Sequence, residues 1–200
     1  MRAIFIIIIL LTMFQQCKAR YTPISLHELI RNSDLIVEYR IKKVYEYQIL
    51  VEKIKIIKGE INSDIILVNK FTNWTCASRW SEYKIGQQGL FFLSRDSSSK
   101  KWEILGQGNE GDMPIENGYL YYYTIFEIKG FKLELYEVMG ESTSALRFEY
   151  EECITAINEF FKKSKQFETL IKTNKVSTYK TNNNFLRRIL EEMKEDLRVK

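Results

Sequence analysis

The chain's best case for chemistry lies in one glycine-rich segment. Gly106-Gln107-Gly108-Asn109-Glu110-Gly111-Asp112 sets two carboxylates two residues apart. Paired carboxylates in a cleft can divide general acid and general base work. With Asn109, the Glu110 and Asp112 oxygens could instead hold a cation weakly or meet a partner. The segment lacks the oxygen alternation of an EF-hand and the strand–helix setting of a dinucleotide fingerprint, so a turn-rich connector is the simpler reading. The only histidine is His27. Any Ser-His-Asp or Cys-His arrangement would have to use it, and it is placed on the polar, exposed side of a short helix. One His and three Cys argue against His/Cys zinc sites. No catalytic residue, metal or cofactor is therefore expected.

A second group is aromatic and basic. Trp74, Arg79, Trp80 and Tyr83 surround Cys76. These residue types anchor interfaces, which makes them a candidate contact surface, although they fill barrel cores equally well. Asn73-Trp74-Thr75 matches a glycosylation acceptor, which matters only in a host that glycosylates exported proteins. Tyr119, Tyr121 and Tyr123 alternate, so they share one face if extended, in the manner of a stacking platform. Glu151-Glu152 suits the first turn of a helix and needs no catalytic role.

The elements that must position these residues begin after a leader. Arg2 precedes an apolar run from Ala3 to Phe14, a polar break at Gln15-Gln16, and Cys17-Lys18-Ala19. The run is short for a membrane span, which needs roughly 20 residues, and it has the form of a secretory signal peptide cut after Ala19. No other stretch suits a transmembrane span. A lipoprotein-type cut before Cys17 is disfavoured by Phe14 and Gln16 at the flanking positions. Removing residues 1–19 takes the chain from 200 to 181 residues and its net charge from +4 to +2, too mild to imply a polyanion partner. Cys76 and Cys153 remain. In an oxidising compartment an even pair suggests one disulfide across about 77 residues, worth on the order of 4 kcal/mol, with two buried thiols as the alternative.

Hydrophobic residues at 45% and aromatics at 14% provide a core and exclude a disordered chain. Ser25 and Glu28 have capping-box spacing ahead of Leu26, Leu29 and Ile30, which predicts a helix over 25–32. Strands follow at 35–45, 49–57, 64–70, 90–93 and 102–105, the third apolar enough for burial on both faces. Two further runs, 119–128 and 131–138, read as a hairpin joined at Lys129-Gly130. Ile154, Ile157, Phe160 and Phe161 predict a helix over 150–163. Residues 164–183 are polar, and Phe185 to Leu197 mark a final helix. The expected fold is mainly β with added helices: an OB-like β-barrel over 20–148 and a helical extension over 149–200.

Three segments carry a family resemblance. They are Asn32-Ser33-Asp34-Leu35-Ile36-Val37, then Val51-Glu52-Lys53-Ile54 with Ile57-Lys58-Gly59-Glu60 and Ile65-Ile66-Leu67-Val68, then Cys76 with Tyr83-Lys84-Ile85-Gly86-Gln87 and Leu90-Phe91-Phe92-Leu93. In that order they resemble the TIMP-like, netrin-module (NTR-like) family of small exported OB-fold domains, secreted bacterial members included, over residues 24–118. The resemblance implies a barrel opened by the first strand and a protein-binding role. Inhibitory members chelate a protease zinc through a mature N-terminal Cys in a Cys-x-Cys pair. Cys17-Lys18-Ala19 has no second Cys, and the expected cut removes Cys17, so that device does not carry over.

Three functions compete. The first is a secreted or periplasmic, non-enzymatic binding module whose partner is another protein, with protease inhibition as one form of that role. The others are a secreted hydrolase using Glu110 and Asp112, and a structural envelope protein. The lone His27 favours the first, and an exported address makes nucleic acid a poor ligand.

Overall fold

A computed structural model of the chain describes residues 23–73, 77–96, 101–106, 110–124 and 128–199. The leader, Cys17, Trp74, Cys76 and Asn109 lie outside these residues.

Five strands close a barrel. β1 (Leu35–Val44) pairs antiparallel with β2 (Gln48–Lys58) and with β4 (Gln88–Arg95). β2 pairs antiparallel with β3 (Ile65–Asn69), which runs parallel to β5 (Trp102–Ile104), and β5 returns to β4. The circuit β1-β2-β3-β5-β4-β1 is an OB-type barrel, closed so that none of its strands keeps a free edge. From β4 the sheet continues through β6 (Asp112–Glu116), β7 (Tyr119–Tyr122), β9 (Glu141–Glu149) and β8 (Glu134–Val138).

The continuous apolar runs of β1 and β4 follow from burial on both faces. Leu35, Val37, Tyr39, Ile41, Phe91 and Leu93 fill the barrel with Ile49, Val51, Ile66 and Val68. Ile36, Leu90 and Phe92 point outward, under the helices. β3 differs from expectation. Ile66 and Val68 are buried, but Ile65 and Leu67 are 41% and 43% exposed. The helices pile on the β1–β4 side and leave the outer face of β3 to solvent.

The helices are α1 (Leu26–Asn32), α2 (Tyr150–Lys162), α3 (Ser164–Lys172) and α4 (Asn184–Val199), with a 3-10 turn at Val176–Thr178. α3 lies in the stretch expected to be merely polar, and Phe167 is the residue it buries. Cys153, Ile157, Phe160, Phe185, Leu186 and Ile189 cover Ile36, Phe92, Leu120, Tyr122 and Phe148 in one core with α1. Each such side chain contributes about 1.5–3 kcal/mol when fully buried. The 149–200 extension is thus a layer of the fold rather than an appendage. No helix among the described residues is long and apolar enough to cross a membrane.

Two turns redraw the expected hairpin. Asn117 and Gly118 have φ of 52° and 80° and join β6 to β7, with Glu116 opposite Tyr119. Met139 and Gly140 have φ of 50° and 81° and join β8 to β9, with Val138 opposite Glu141. Two-residue connections with both φ positive match the right-handed twist of paired strands. β7 is therefore held by β6 and β9, while Ile128 and Phe131 share one isolated bridge.

Candidate functional site

The two predicted groups meet. Asp112 opens β6 opposite Phe91, and Arg79 lies in the segment before β4. Arg79 Nε donates to Asp112 Oδ2 at 2.6 Å, and Tyr39 Oη donates to Asp112 Oδ1 at 2.6 Å. The Arg79 and Asp112 side chains are 3% and 2% exposed. The guanidinium lies 4.4 Å from the Trp80 ring centroid and 3.9 Å from that of Tyr83, within cation–π range. Burial works against the charge on Arg79, but Asp112 more than offsets it and holds the guanidinium charged more firmly than usual. Burial, reinforced by Asp112, pushes the Tyr39 and Tyr83 phenols up. Asn73 Oδ1 accepts the Arg79 backbone N–H at 2.9 Å, so this asparagine ties the same segment.

This geometry joins Arg79 and Asp112, one from each candidate group, in one buried pair. Arg79 and Tyr83 act inward, pinning the segment before β4 to the barrel. Asp112 is not a cation loop residue, because both of its oxygens accept from buried protein donors. Glu110 is 2% exposed and faces Gly106, where an added Cβ would stand 2.8 Å from Oε2. Glu110 adds to the upward shift that burial gives Tyr122, whereas Asp112 acts on Tyr39, Tyr83 and Tyr123. The two carboxylates thus act on different tyrosines. The tyrosine platform is also covered. Tyr121 and Tyr123 share a face, but Trp80 stacks on Tyr123 at 6.1 Å and Tyr136 meets Tyr121 edge-on at 5.4 Å.

Cys153 is a free thiol, 0% exposed, and its pKa is raised well above the ordinary thiol value by burial. Its expected partner Cys76 lies outside the described residues. A buried thiol of this kind is inert. Cys153 should react with iodoacetamide at least about tenfold more slowly in the native protein than in denaturant, without reductant. Peptide mapping that finds Cys153 blocked until reductant is added restores the disulfide.

His27 is buried at 7%, not solvated. α4 covers that side of α1. His27 Nε2 lies 3.5 Å from Asp196 Oδ2, and Ser25 Oγ lies within 3.2 Å of His27 Nδ1, Glu28 Oε2 and Asp196 Oδ2. The Ser25 hydroxyl thus ties α1 to α4 and does not cap the helix backbone. Ligand atoms of His27, Glu28 and Asp196 fall within 4.8 Å of one another, a set suited to a cation. Spacing in sequence could not reveal it, since Asp196 is 171 residues from Ser25.

One accessible apolar surface lies on the barrel wall. Tyr45 and Tyr47, at the β1–β2 turn, are 42% and 73% exposed. A trough of about 400 Å³ runs between them, Leu50 and Leu67. A second, of about 280 Å³, runs along Ile61, Ile65 and Trp102. Gln48 and Leu67 line both, so the two adjoin. The unbroken apolar run Ile65-Ile66-Leu67-Val68 pointed to burial on both faces, so the exposure of this outer row was not legible in the sequence.

No family model matches the chain, and no curated protein matches it. Among solved structures it is similar to a candidate exosome complex RNA-binding protein, at 13% identity over 90% of this chain and 98% of that one, with a TM-score of 0.28. At that score the barrel assignment rests on the strand pairing alone.

Proposed function

We propose that the chain is a secreted or periplasmic protein-binding module on a TIMP-like OB barrel, acting without catalysis. The observation that supports this best is the pair of adjoining troughs along Tyr45, Tyr47, Ile65 and Leu67. A contiguous exposed apolar surface on an exported domain marks an interaction site, and the β2–β3 wall with the β1–β2 turn is where OB barrels hold ligands. Tyrosines at the rim and aliphatics along the groove suit a protein partner. The acidic and basic groups flagged in the sequence support the reading too, because Asp112 and Arg79 neutralise each other internally. Extracellular proteases are the partner class to test first.

A photo-crosslinking residue in place of Tyr47, in the secreting host, should capture one protein. With that protein purified, Leu67→Asp should weaken binding at least tenfold, about 1.4 kcal/mol, while shifting stability by less than about 0.5 kcal/mol because the site is exposed. Affinity unchanged in Leu67→Asp and Ile65→Asp would sink the surface. The intact mass of the exported protein tests the address. A start at Arg20 supports the signal peptide, and a chain that retains Met1 to Ala19 overturns it.

A further inference from the structure

A cleft of about 320 Å³ opens where α1, the end of β2, α2 and α3 meet. Its floor is Phe160, Phe161, Phe167 and Ile171. The Phe160 and Phe167 rings stack at 5.2 Å with 10° between planes, and Phe167 is 1% exposed, so the floor is packed from behind. Its rim carries Arg31 and Lys58 against the carboxylate of Glu168, with the His27 ring beside them. A mainly apolar cleft of this size with a few convergent polar groups is the ordinary form of a small-molecule site.

Lys58 joins rim to floor. Its Nζ donates to the carbonyl oxygens of Ile30 and Arg31 at 3.0 and 2.9 Å. An ammonium has three donors, so one remains for a ligand. The same Nζ lies 4.9 Å from the Phe161 ring centroid. Burial holds the Lys58 ammonium below the usual lysine range, although Asp34 pulls it up. The Asp34 Oδ2 is itself engaged by the Arg95 backbone N–H at 2.7 Å. Arg31 and Lys58 outnumber Glu168 at the cleft, so an arriving anion would balance the remaining positive charge.

We propose that this cleft binds a small alkyl carboxylate, with the carboxylate on Lys58 and Arg31 and the alkyl chain along the phenylalanine floor. Charge selects the head group, and floor length selects the chain. Each methylene brought out of water should tighten binding by up to about fourfold until the cleft is full.

Isothermal titration of the purified protein with octanoate, butanoate and octylammonium tests this. One equivalent of octanoate should bind and raise the melting temperature. Butanoate and octylammonium should each bind at least tenfold more weakly. Arg31→Gln and Lys58→Gln should each lose about tenfold toward octanoate, and Ile171→Asp should lose binding altogether. Arg31 is exposed, so Arg31→Gln keeps the test valid if the Lys58 variant folds poorly. Octylammonium binding as tightly as octanoate, full affinity in Arg31→Gln, or a melting temperature lowered by octanoate would each overturn the proposal.

Discussion

Asp112→Asn should destabilise the protein by about 3–5 kcal/mol, the cost of removing one partner from a buried ion pair. For a domain of this size that lowers the melting temperature by about 6–20 °C, since each kcal/mol shifts it by about 2–4 °C. Asparagine keeps the shape and one carbonyl oxygen. It leaves the Arg79 guanidinium, with its side chain 3% exposed, without the carboxylate 2.6 Å away. Tyr39→Phe provides the internal scale. It removes one hydrogen bond and no charge, so it should cost only about 1–2 kcal/mol. Pairing Asp112→Asn with Arg79→Met should recover part of the loss, because the uncompensated charge is then gone. Equilibrium urea unfolding measures all three. A loss in Asp112→Asn no larger than in Tyr39→Phe refutes the view that this pair anchors the segment before β4.

Arg188→Met should be as costly, about 3 kcal/mol or more, and its cost should grow with pH. Arg188 and Glu192 sit one turn apart on α4 with side chains 0% and 2% exposed, joined at 2.7 Å. The other Glu192 oxygen accepts the Leu26 backbone N–H at 2.5 Å, which docks the start of α1 on α4. Burial raises the Glu192 pKa, and Arg188 is the largest influence holding it down. A group whose pKa is raised by folding stabilises most fully below its unfolded value and loses that contribution as pH rises through its folded value. Without Arg188 the folded value climbs further. The variant should thus approach wild-type stability in acid and fall away from the ordinary carboxylate range upward. Adding Glu192→Gln should flatten that slope. Urea unfolding from pH 4.5 to 8 checks it, and a penalty independent of pH would place the effect in packing alone.

Much of the barrel was legible because its patterns are local. Leu35-Ile36-Val37 and Leu90-Phe91-Phe92-Leu93 are runs that only double-faced burial explains, and Ile154, Ile157, Phe160 mark the buried face of α2. β6 escaped notice because Pro114 and the neighbouring glycines imitate a connector. The Asn117-Gly118 turn was a readable hairpin signal, and it joins two paired strands, whereas Lys129-Gly130 closes one isolated bridge. α3 is short and rich in polar residues, so docking on Phe160 rather than its own sequence selects the helix.

The sequence by itself determined the secondary-structure period of each strong segment, a barrel followed by helices, and an inventory with a single histidine. Those depend on neighbours within a turn or two. The tertiary structure alone decided which polar residues are spent. It turned Arg79 and Asp112 from two candidate sites into one buried pair, drew His27 under α4, exposed Tyr47 and Leu67, and set Lys58 over a phenylalanine floor. The reason is physical. The free energy of a charge or an aromatic ring depends on what surrounds it in space, and partners such as Asp112 for Arg79, or Asp196 for His27, arrive from distant sequence only when the sheet closes.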